Sequence, residues 1–378
     1  MKKKTKLVIA IFSTLFLIIC LIVGSIIYFM LNMELTDDFL NGKVCGLDIE
    51  EPCETTSFVV DEGAWGKSTI VKLYETGILQ QIDIPYTYYR FFNPQPFIAG
   101  YYEIPHNLDL DGLIEYLSTE SNVIQDTVNI IFYEDDNITD FAKAIGDKTN
   151  LSAKGLLEYW DNKETVEAYM KEYPFLTEDI FNDPNIKHYL EGYLAPDSYE
   201  FYTYTDYDEV TRVLLDQSLV IFNKYKDDFE DSDLSIHEVY TLASMCQWES
   251  GVREDMESIA GVFMNKLNNL NGEGSYLRSS VTVCYAFDLD KDACKIVDTA
   301  EEEYVLKDVP YNTYMNEGLP PGPVLCPGED AIYAALHPED NNYFFFVGDL
   351  CYGTGTVFAR TYSQHLANVE KYVNGCFN

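Results

Sequence analysis

The feature that most constrains this chain is an uncharged apolar run from Leu7 to Met30, close to its N-terminus. A helix of this length, at about 1.5 Å per residue, crosses a hydrocarbon core of about 30 Å. Lysines precede the run and acidic residues follow it, so the positive-inside rule predicts that residues 1–6 are cytoplasmic and the rest extracellular. No small-x-small cleavage site follows, which disfavours a cleaved signal peptide. We therefore expect a single-pass membrane anchor.

The charge balance restricts the partners that the extracellular part can bind. The chain carries 63 acidic and 25 basic residues, which gives a net charge of −38. Phosphate backbones and anionic lipid surfaces would repel such a chain, so nucleic acid is excluded as a partner and contact with the membrane is expected only through the anchor. Neutral or amphoteric polymers remain as candidate ligands.

The cysteines and histidines do not indicate a metal site or a cofactor. Cys20 lies in the predicted anchor, and the other eight cysteines permit disulfides. Cys45 and Cys53 flank a short loop and are the best predicted pair, with free buried thiols as the alternative. There is no CxxC, HxxxH or HExxH spacing. Asp288–Asp292 resembles the start of a calcium loop, but the Gly and Glu that such a loop requires later are absent. We expect neither metal nor cofactor.

The pattern of strands and helices predicts an α+β fold. Residues 31–55 read as an acidic juxtamembrane linker, 56–185 as an N-terminal region, and 186–378 as a further domain in which strands and helices mix without βαβα regularity. In the N-terminal region a strand followed by a helix occurs three times, which suggests a small βα repeat. The three patterns are Phe58–Val60 before 68–77, Tyr101–Ile104 before Leu110–Leu117, and Asn129–Tyr133 before Ile138–Ile145.

One helix with both ends marked carries the main candidate for catalysis, Glu249. Ser235 and Glu238 fit a capping box at its start, and Gly251 follows its end. Apolar residues recur along one stripe as far as Cys246, and the next position on that stripe is 249. Burial and the negative end of the helix dipole would both raise the pKa of this carboxyl, as a general acid requires. Alternatively, the stripe ends at Cys246 and Glu249 is solvated in a fraying last turn.

The residues around this helix resemble a known family. Glu249-Ser250-Gly251 is similar to the Glu-Ser/Thr-Gly signature of lytic transglycosylases, and a longer ordered set of motifs resembles the endolytic murein transglycosylases (MltG/YceG-like). The matching segments are Gly192–Tyr199, Leu242–Ser244, Val262–Leu267, Thr282–Ala286, Pro310–Tyr314, Gly318–Pro323, Pro327-Gly328, Ala331-Ile332, Ala334–Leu336 and Phe345–Val347. The resemblance implies a membrane anchor, a LysM-like part at about 126–185 and a catalytic domain at 186–378.

This family cleaves the β-1,4 bond between N-acetylmuramic acid and N-acetylglucosamine in peptidoglycan and leaves 1,6-anhydromuramyl ends. The resemblance implies the same reaction here, with Glu249 as the single acid and base and with peptidoglycan synthases as possible partners. Aromatic rings can pack against sugars, and short polar side chains can bind their acetamido and hydroxyl groups. The predicted substrate-binding residues are Tyr193, Asp197, Tyr199, Thr282, Tyr285, Tyr311, Asn312 and Tyr314.

The chain departs from the family pattern at several positions. Gln247 stands where the family usually has a second Glu, Ser280-Val281 where it has Asp-Pro, and Thr356 where it has His. These departures motivate an alternative, a catalytically degenerate wall-binding or scaffold protein with the same fold. A hydrolytic muramidase is a third hypothesis, although such enzymes usually need a second carboxylate.

Overall fold

The computed structural model describes most of the chain after the N-terminal segment. The described residues are 14–27, 55–61, 63–105, 108–124, 127–272, 274–289, 293–294, 304–353 and 355–376. The chain divides into two compact units, residues 1–126 and 127–378.

Only part of the predicted membrane anchor falls within the described residues. Residues 14–27 are helical, and the remainder of the run from 7 to 30 lies outside the described residues. Within the described ranges no helix combines the length and the apolarity needed to span a membrane. The anchor, the cytoplasmic tail and the linker therefore stay predictions. The predicted Cys45–Cys53 bridge also lies outside the described residues.

The first unit is built on a two-stranded antiparallel sheet with helices packed against it. Its elements are β1 (Thr55–Val60), α1 (Gly66–Glu75), α2 (Asp83–Phe91), β2 (Gly100–Pro105) and α3 (Leu110–Leu117), followed by a 3-10 turn (Glu120–Asn122). Phe58 lies opposite Tyr102 in the sheet, and both side chains are buried in the core of this unit. This alternation of buried and exposed residues along β1 is typical of a sheet with one face on a core.

The second unit is mainly helical and contains two further two-stranded antiparallel sheets. Its elements are β3 (Thr127–Ile131), α4 (Ile138–Gly146), α5 (Ala153–Trp160), α6 (Lys163–Tyr169), β4 (Ser198–Tyr202), α7 (Tyr207–Lys224), α8 (Lys226–Asp231), α9 (Ile236–Glu249), α10 (Arg253–Leu267), α11 (Ser280–Ala286), α12 (Glu329–Leu336), β5 (Phe345–Gly348), β6 (Thr356–Ala359) and α13 (Tyr362–Tyr372), with 3-10 turns at Glu178–Phe181 and Asn374–Cys376. Strand β3 pairs with β4, and β5 pairs with β6.

The observed fold confirms the α+β class, and it places the three strands of the predicted βα repeat in two different sheets. Each predicted strand and helix of the three patterns exists, but the strands do not build one sheet. β1 pairs with β2, whereas β3 pairs with β4, which follows about 70 residues later in the chain. The segment predicted to be LysM-like shares a core with the residues after 186, and the two compact units meet at 126/127. The predicted domain boundary at 185/186 and the LysM-like character of the segment stay predictions.

Helix α9 runs through the core of the second unit and packs against α10 and α12. Its residues from Val239 to Gln247 are all buried, so the helix has no solvated face along this stretch. A helix that is buried on every side needs polar partners for its polar side chains, and Ser244 donates to the carbonyl of Thr241 at 2.8 Å. The end of α9 is thus held rigidly where it meets the surface.

Two cysteines outside the predicted pair form a disulfide in the second unit. Cys284 on α11 is bonded to Cys294, ten residues later. Cys351 is also disulfide-bonded, whereas Cys246 and Cys326 are free and buried. The bridge from Cys284 fixes α11, whose first turn faces the end of α9.

Candidate active site

Glu249 is the last residue of α9 and lies at the boundary between core and solvent. The capping box predicted at the start of the helix is present: Glu238 N donates to Ser235 Oγ at 3.2 Å, and Ser235 N donates to Glu238 Oε2 at 2.8 Å. At the other end Ser250 has an extended backbone, with φ −155°, and this terminates the helix. Glu249 itself is half-buried, so it is neither enclosed in the core nor freely solvated.

A cleft of about 820 Å³ opens in front of Glu249. Lys266 and Tyr314 line it, as do the four apolar residues Phe344–Val347. The long aromatic wall lowers the local dielectric, whereas the groups near Glu249 are polar or charged. Such a mixed lining suits a ligand with apolar faces and polar edges, as sugars have.

A hydrogen bond from Ser279 fixes the carboxyl group of Glu249. Ser279 is 2% exposed, and its Oγ donates to Glu249 Oε1 at 2.7 Å. Two buried threonines hold Ser279 in turn. Ser279 N donates to Thr313 Oγ1 at 3.1 Å, and Thr282 Oγ1 donates to the Ser279 carbonyl at 2.8 Å. The two threonine hydroxyls are 2.9 Å apart, so the network is continuous.

Lys266, in the last turn of α10, places a positive charge beside Glu249. Its Nζ donates to the carbonyl of Leu277 at 2.7 Å. Burial lowers the pKa of Lys266 to about 8, the Glu249 carboxylate acts in the opposite direction, and the charge of Arg278 lowers the pKa further. At neutral pH Lys266 is mostly protonated, so its charge favours the ionised form of Glu249. Burial and the Lys266 charge also lower the pKa of His365, which leaves that imidazole neutral at pH 7.

The surroundings of Glu249 therefore act on its pKa in both directions. The apolar wall disfavours the carboxylate, whereas the Ser279 hydroxyl and the Lys266 ammonium favour it. The raised pKa expected from the sequence stays a prediction.

Three of the predicted substrate-binding residues belong to this part of the molecule. Tyr314 lines the cleft together with Glu249. Thr282 is fully buried behind the cleft wall and acts on Ser279. Asn312 is also fully buried: its Nδ2 donates to the Lys307 carbonyl at 2.7 Å, and its Oδ1 accepts from Tyr314 N at 2.9 Å. Thr282 and Asn312 thus position cleft residues and lie beneath the cleft surface.

The other five predicted substrate-binding residues lie away from the Glu249 cleft. Tyr193 is 1% exposed, and its hydroxyl is 2.7 Å from His237 Nδ1. Tyr311 is buried against the ring of Tyr285, with centroids 4.9 Å apart. Tyr285 also borders a separate cleft of about 620 Å³.

Asp197 and Tyr199 are also among the five predicted residues that lie away from the Glu249 cleft. The carboxylate of Asp197 accepts from Gln217 Nε2 at 3.2 Å, and the residue lines a third cleft, of about 940 Å³. The hydroxyl of Tyr199 donates to the Ala195 carbonyl at 2.7 Å. The two residues therefore hold the turn that leads into β4, and neither of them lines the cleft in front of Glu249.

Comparison with known proteins gives the family. A model of the YceG-like family matches residues 58–371. This chain belongs to the YceG-like family. It is 31% identical over 340 residues to a Bacillus subtilis (strain 168) protein named endolytic murein transglycosylase, covering 89% of this chain and 90% of that protein. It is 27% identical to a Streptococcus pneumoniae (strain D39) protein of the same name, covering 84% of this chain and 58% of that protein.

A solved structure also supports the YceG-like assignment. The crystal structure of a protein described as yceG-like, from Listeria monocytogenes, superposes with a TM-score of 0.57 at 26% identity. The match covers 84% of this chain and 99% of that chain. The fold similarity therefore extends over most of the YceG-like region and is not confined to the Glu249 motif.

Of the residues that depart from the YceG-like pattern, some line the cleft in front of Glu249 and others do not. Ser280 and Thr356 both line the cleft with Glu249, and Thr356 N donates to Asp255 Oδ2 at 2.9 Å. Val281 lies in the core. Gln247 does not line the cleft. Its Nε2 donates to Glu134 Oε2 at 3.2 Å, and its Oε1 accepts from Gly328 N, just before α12, at 3.1 Å. Two departures thus touch the site and two do not.

Sequence reasoning missed several residues of this YceG-like cleft. Lys266 lay within a matched motif but received no role. Ser279 precedes the Thr-Val motif by three residues and gave no pattern of its own. Arg278 has φ 56°, a conformation that a non-glycine residue rarely adopts and that no sequence pattern reveals. In the described residues no three His, Cys, Asp or Glu side chains converge as metal ligands would.

Proposed function

We propose that this protein is a membrane-anchored lytic transglycosylase that cleaves peptidoglycan strands internally at the N-acetylmuramic acid–N-acetylglucosamine bond. Two observations support the proposal: the chain belongs to the YceG-like family, and relatives matched over most of its length are named endolytic murein transglycosylases. The observation that carries the chemistry is the half-buried Glu249 in a cleft wall, hydrogen-bonded to Ser279 at 2.7 Å.

In the first step, Glu249 acts as general acid. Its protonated carboxyl donates to the glycosidic oxygen as the bond from C1 of the muramic acid residue to that oxygen breaks. The positive charge that develops at C1 faces the carboxylate that forms. Ser279 and Lys266 stabilise that carboxylate because a hydroxyl donor and a nearby cation both favour the ionised form.

In the second step, the same carboxylate acts as general base. It takes the proton from the C6 hydroxyl of the muramic acid residue, and O6 closes on C1 to form the 1,6-anhydro ring. One proton leaves the enzyme and one returns, and no water is consumed. A single acid/base group therefore suffices for the complete reaction.

The acidic groups of the cleft favour this reaction over hydrolysis. Among the described residues that line the cleft, Glu249 is the only carboxylic acid. An inverting or retaining hydrolase usually uses two carboxyl groups about 5–10 Å apart across the scissile bond. Asp255, which follows the helix end, accepts a hydrogen bond from Thr356 N and anchors the start of β6.

The cellular setting is part of the proposal. The apolar run at 7–30 serves as a single-pass anchor, and the lysines before it keep the N-terminus in the cytoplasm. The catalytic unit is then extracellular, close to the membrane where glycan strands are made. Peptidoglycan synthases are the partners that this position suggests.

A muropeptide digest tests the proposal. Nascent glycan is incubated with the wild-type protein, with Glu249→Gln, and with Glu254→Gln as a control that removes an exposed carboxylate from the next helix. We expect internal cleavage with 1,6-anhydromuramyl ends from the wild type and the control, and at least a hundredfold less product from Glu249→Gln. Reducing ends would identify a muramidase. No product from any of the three would identify a non-catalytic wall-binding protein.

A further inference from the structure

The Glu249 cleft has a charge balance opposite to that of the whole chain. The chain has 63 acidic and 25 basic residues, yet the charged side chains lining the described cleft are Lys266 and Arg278 on the basic side and Glu249 on the acidic side. His365 also lines the cleft, but it is neutral at pH 7. When Glu249 is protonated for the first step, the lining carries two positive charges and no negative one.

Arg278 differs from the other arginines of the chain. Its side chain is exposed at the cleft, and among the described residues its guanidinium has no ion pair, hydrogen bond or ring contact. The other four arginines each contact an acid or an aromatic ring: Arg90 contacts Phe91, Arg212 contacts Glu172 and Asp208, Arg253 contacts Asp330, and Arg360 contacts Tyr343. An arginine left without a partner in so acidic a protein points to a ligand that supplies one.

The backbone holds Arg278 in place at some cost. Its φ of 56° lies in the left-handed region, which is unfavourable for a residue other than glycine. Its N–H donates to the Thr313 carbonyl at 3.1 Å, and its neighbours Leu277 and Ser279 are both buried. The strained residue therefore lies between two buried neighbours and lines the cleft. Such outliers are maintained where the side chain has a role in a site.

We propose that Arg278, with Lys266, binds the carboxylates of the peptide stem on the muramic acid residue that is being cleaved. This inference rests on the proposed function. The bond that Glu249 cleaves is at C1 of that sugar, and the lactyl group that carries the stem is at C3 of the same ring. A cation next to the acid is therefore close to the stem and can select strands whose stems carry free carboxylates.

A simpler role, neutralising Glu249, accounts for one of the two cations only. Lys266 is close enough to Glu249 for the two opposite charges to stabilise each other. Arg278 adds a second positive charge, which repels the first and lowers the pKa of Lys266. Repulsion between the two cations is unfavourable, and an anionic substituent of the substrate would offset it.

The test measures glycan binding to full-length protein by calorimetry, on a Glu249→Gln background so that no substrate is consumed. The probes are peptidoglycan oligomers with free stem carboxylates and the same oligomers with those carboxyls converted to amides. Four proteins are compared: the background alone, and the background with Arg278→Gln, with Arg278→Lys or with Arg360→Gln. Arg360 is exposed like Arg278 but does not line the cleft. Arg278→Lys serves as the conservative variant.

We expect the background and Arg360→Gln to bind the acidic oligomers about five- to tenfold more tightly than the amidated ones, the size of one charge-assisted contact at a partly exposed site. Arg278→Gln should bring this ratio close to one, and Arg278→Lys should retain part of it. Equal binding of the two oligomers by the background protein overturns the inference, as does an unchanged ratio in Arg278→Gln. This assay measures binding without cleavage, whereas the muropeptide digest measures cleavage. A failure of the stem-binding inference can therefore be distinguished from a failure of the proposed function.

Discussion

Glu191 gives the sharpest test of the energetics of this fold. The residue is 1% exposed in the core of the second unit. Its Oε1 accepts from Ile138 N, the first residue of α4, at 3.1 Å, and from the thiol of Cys326 at 3.7 Å. Burial raises the pKa of Glu191 to about 7, although the charge of His188 and the hydrogen bond from Ile138 act against it. The perturbation is Glu191→Gln, which keeps an oxygen acceptor for Ile138 and cannot ionise.

The sign and size of the effect follow from the folded and unfolded pKa values. The folded value is raised from 4.5 to about 7, so the stability that the protonated carboxyl contributes is fully present below about pH 4.5 and is lost as the pH rises through 7. At 1.36 kcal/mol per pH unit, the difference between the two values corresponds to about 3 kcal/mol. Glu191→Gln removes this dependence, so it should stabilise the protein relative to wild type increasingly from pH 4.5 to pH 8.

Urea unfolding of both proteins, followed by intrinsic fluorescence at about pH 4.5 and about pH 8, measures this difference. Glu167→Gln is the matched control, since Glu167 is an exposed helical residue with a weak i,i+4 partner and should shift stability equally at both pH values. The reasoning is refuted if the difference between Glu191→Gln and wild type is the same at the two pH values to within about 0.5 kcal/mol, the usual uncertainty of such comparisons.

Two further predictions concern residues around α9. Ser279→Ala removes the donor to Glu249, so the pKa of that carboxyl should rise and the alkaline limb of the kcat/KM profile should move up by about one pH unit, whereas Ser279→Thr should leave it in place. An unmoved limb in Ser279→Ala would contradict the role of this hydrogen bond. Gln247→Glu places a carboxylate against Glu134 and should cost about 1–2 kcal/mol in urea unfolding, which Glu134→Gln restores in the double variant. Additive effects of the two changes would show that the side chains do not interact.

Local signals made helix α9 predictable, whereas most of the candidate site depends on long-range contacts that the sequence does not reveal. The capping box at Ser235 and Glu238 lies within four residues, so it could be read directly. The contact from Ser279 to Glu249 spans 30 residues, and that of Lys266 depends on how α10 packs on α9. Nothing in the spacing of these residues marks them as neighbours.

The difference between local signals and long-range contacts also applies to the strands and helices of the predicted βα repeat. Strand and helix positions follow from the pattern of apolar residues, so α3 begins and ends where the sequence predicts. Strand pairing depends on distant segments: β4, the partner of β3, lies on the other side of three intervening helices. The residues of the stripe predicted in α9 are buried as far as Cys246, but so are the residues between them, because this helix is surrounded by core and has no polar face along this stretch.

The departures at the cleft act on its charge more than on its shape. Where the family pattern has Asp, this chain has Ser280, whose side chain lines the cleft beside Glu249. An aspartate at this position would offset one of the charges of Lys266 and Arg278, and a serine does not. Where the pattern has His, Thr356 contributes no charge either. Both departures leave Glu249 and its Ser279 donor in place, so the groups that the proposed acid/base chemistry needs are present in a cleft whose lining has a net positive charge. A degenerate site would be expected to lose the acid and its hydrogen bond first, whereas this cleft keeps both, together with the two cations that the proposed binding of stem carboxylates requires.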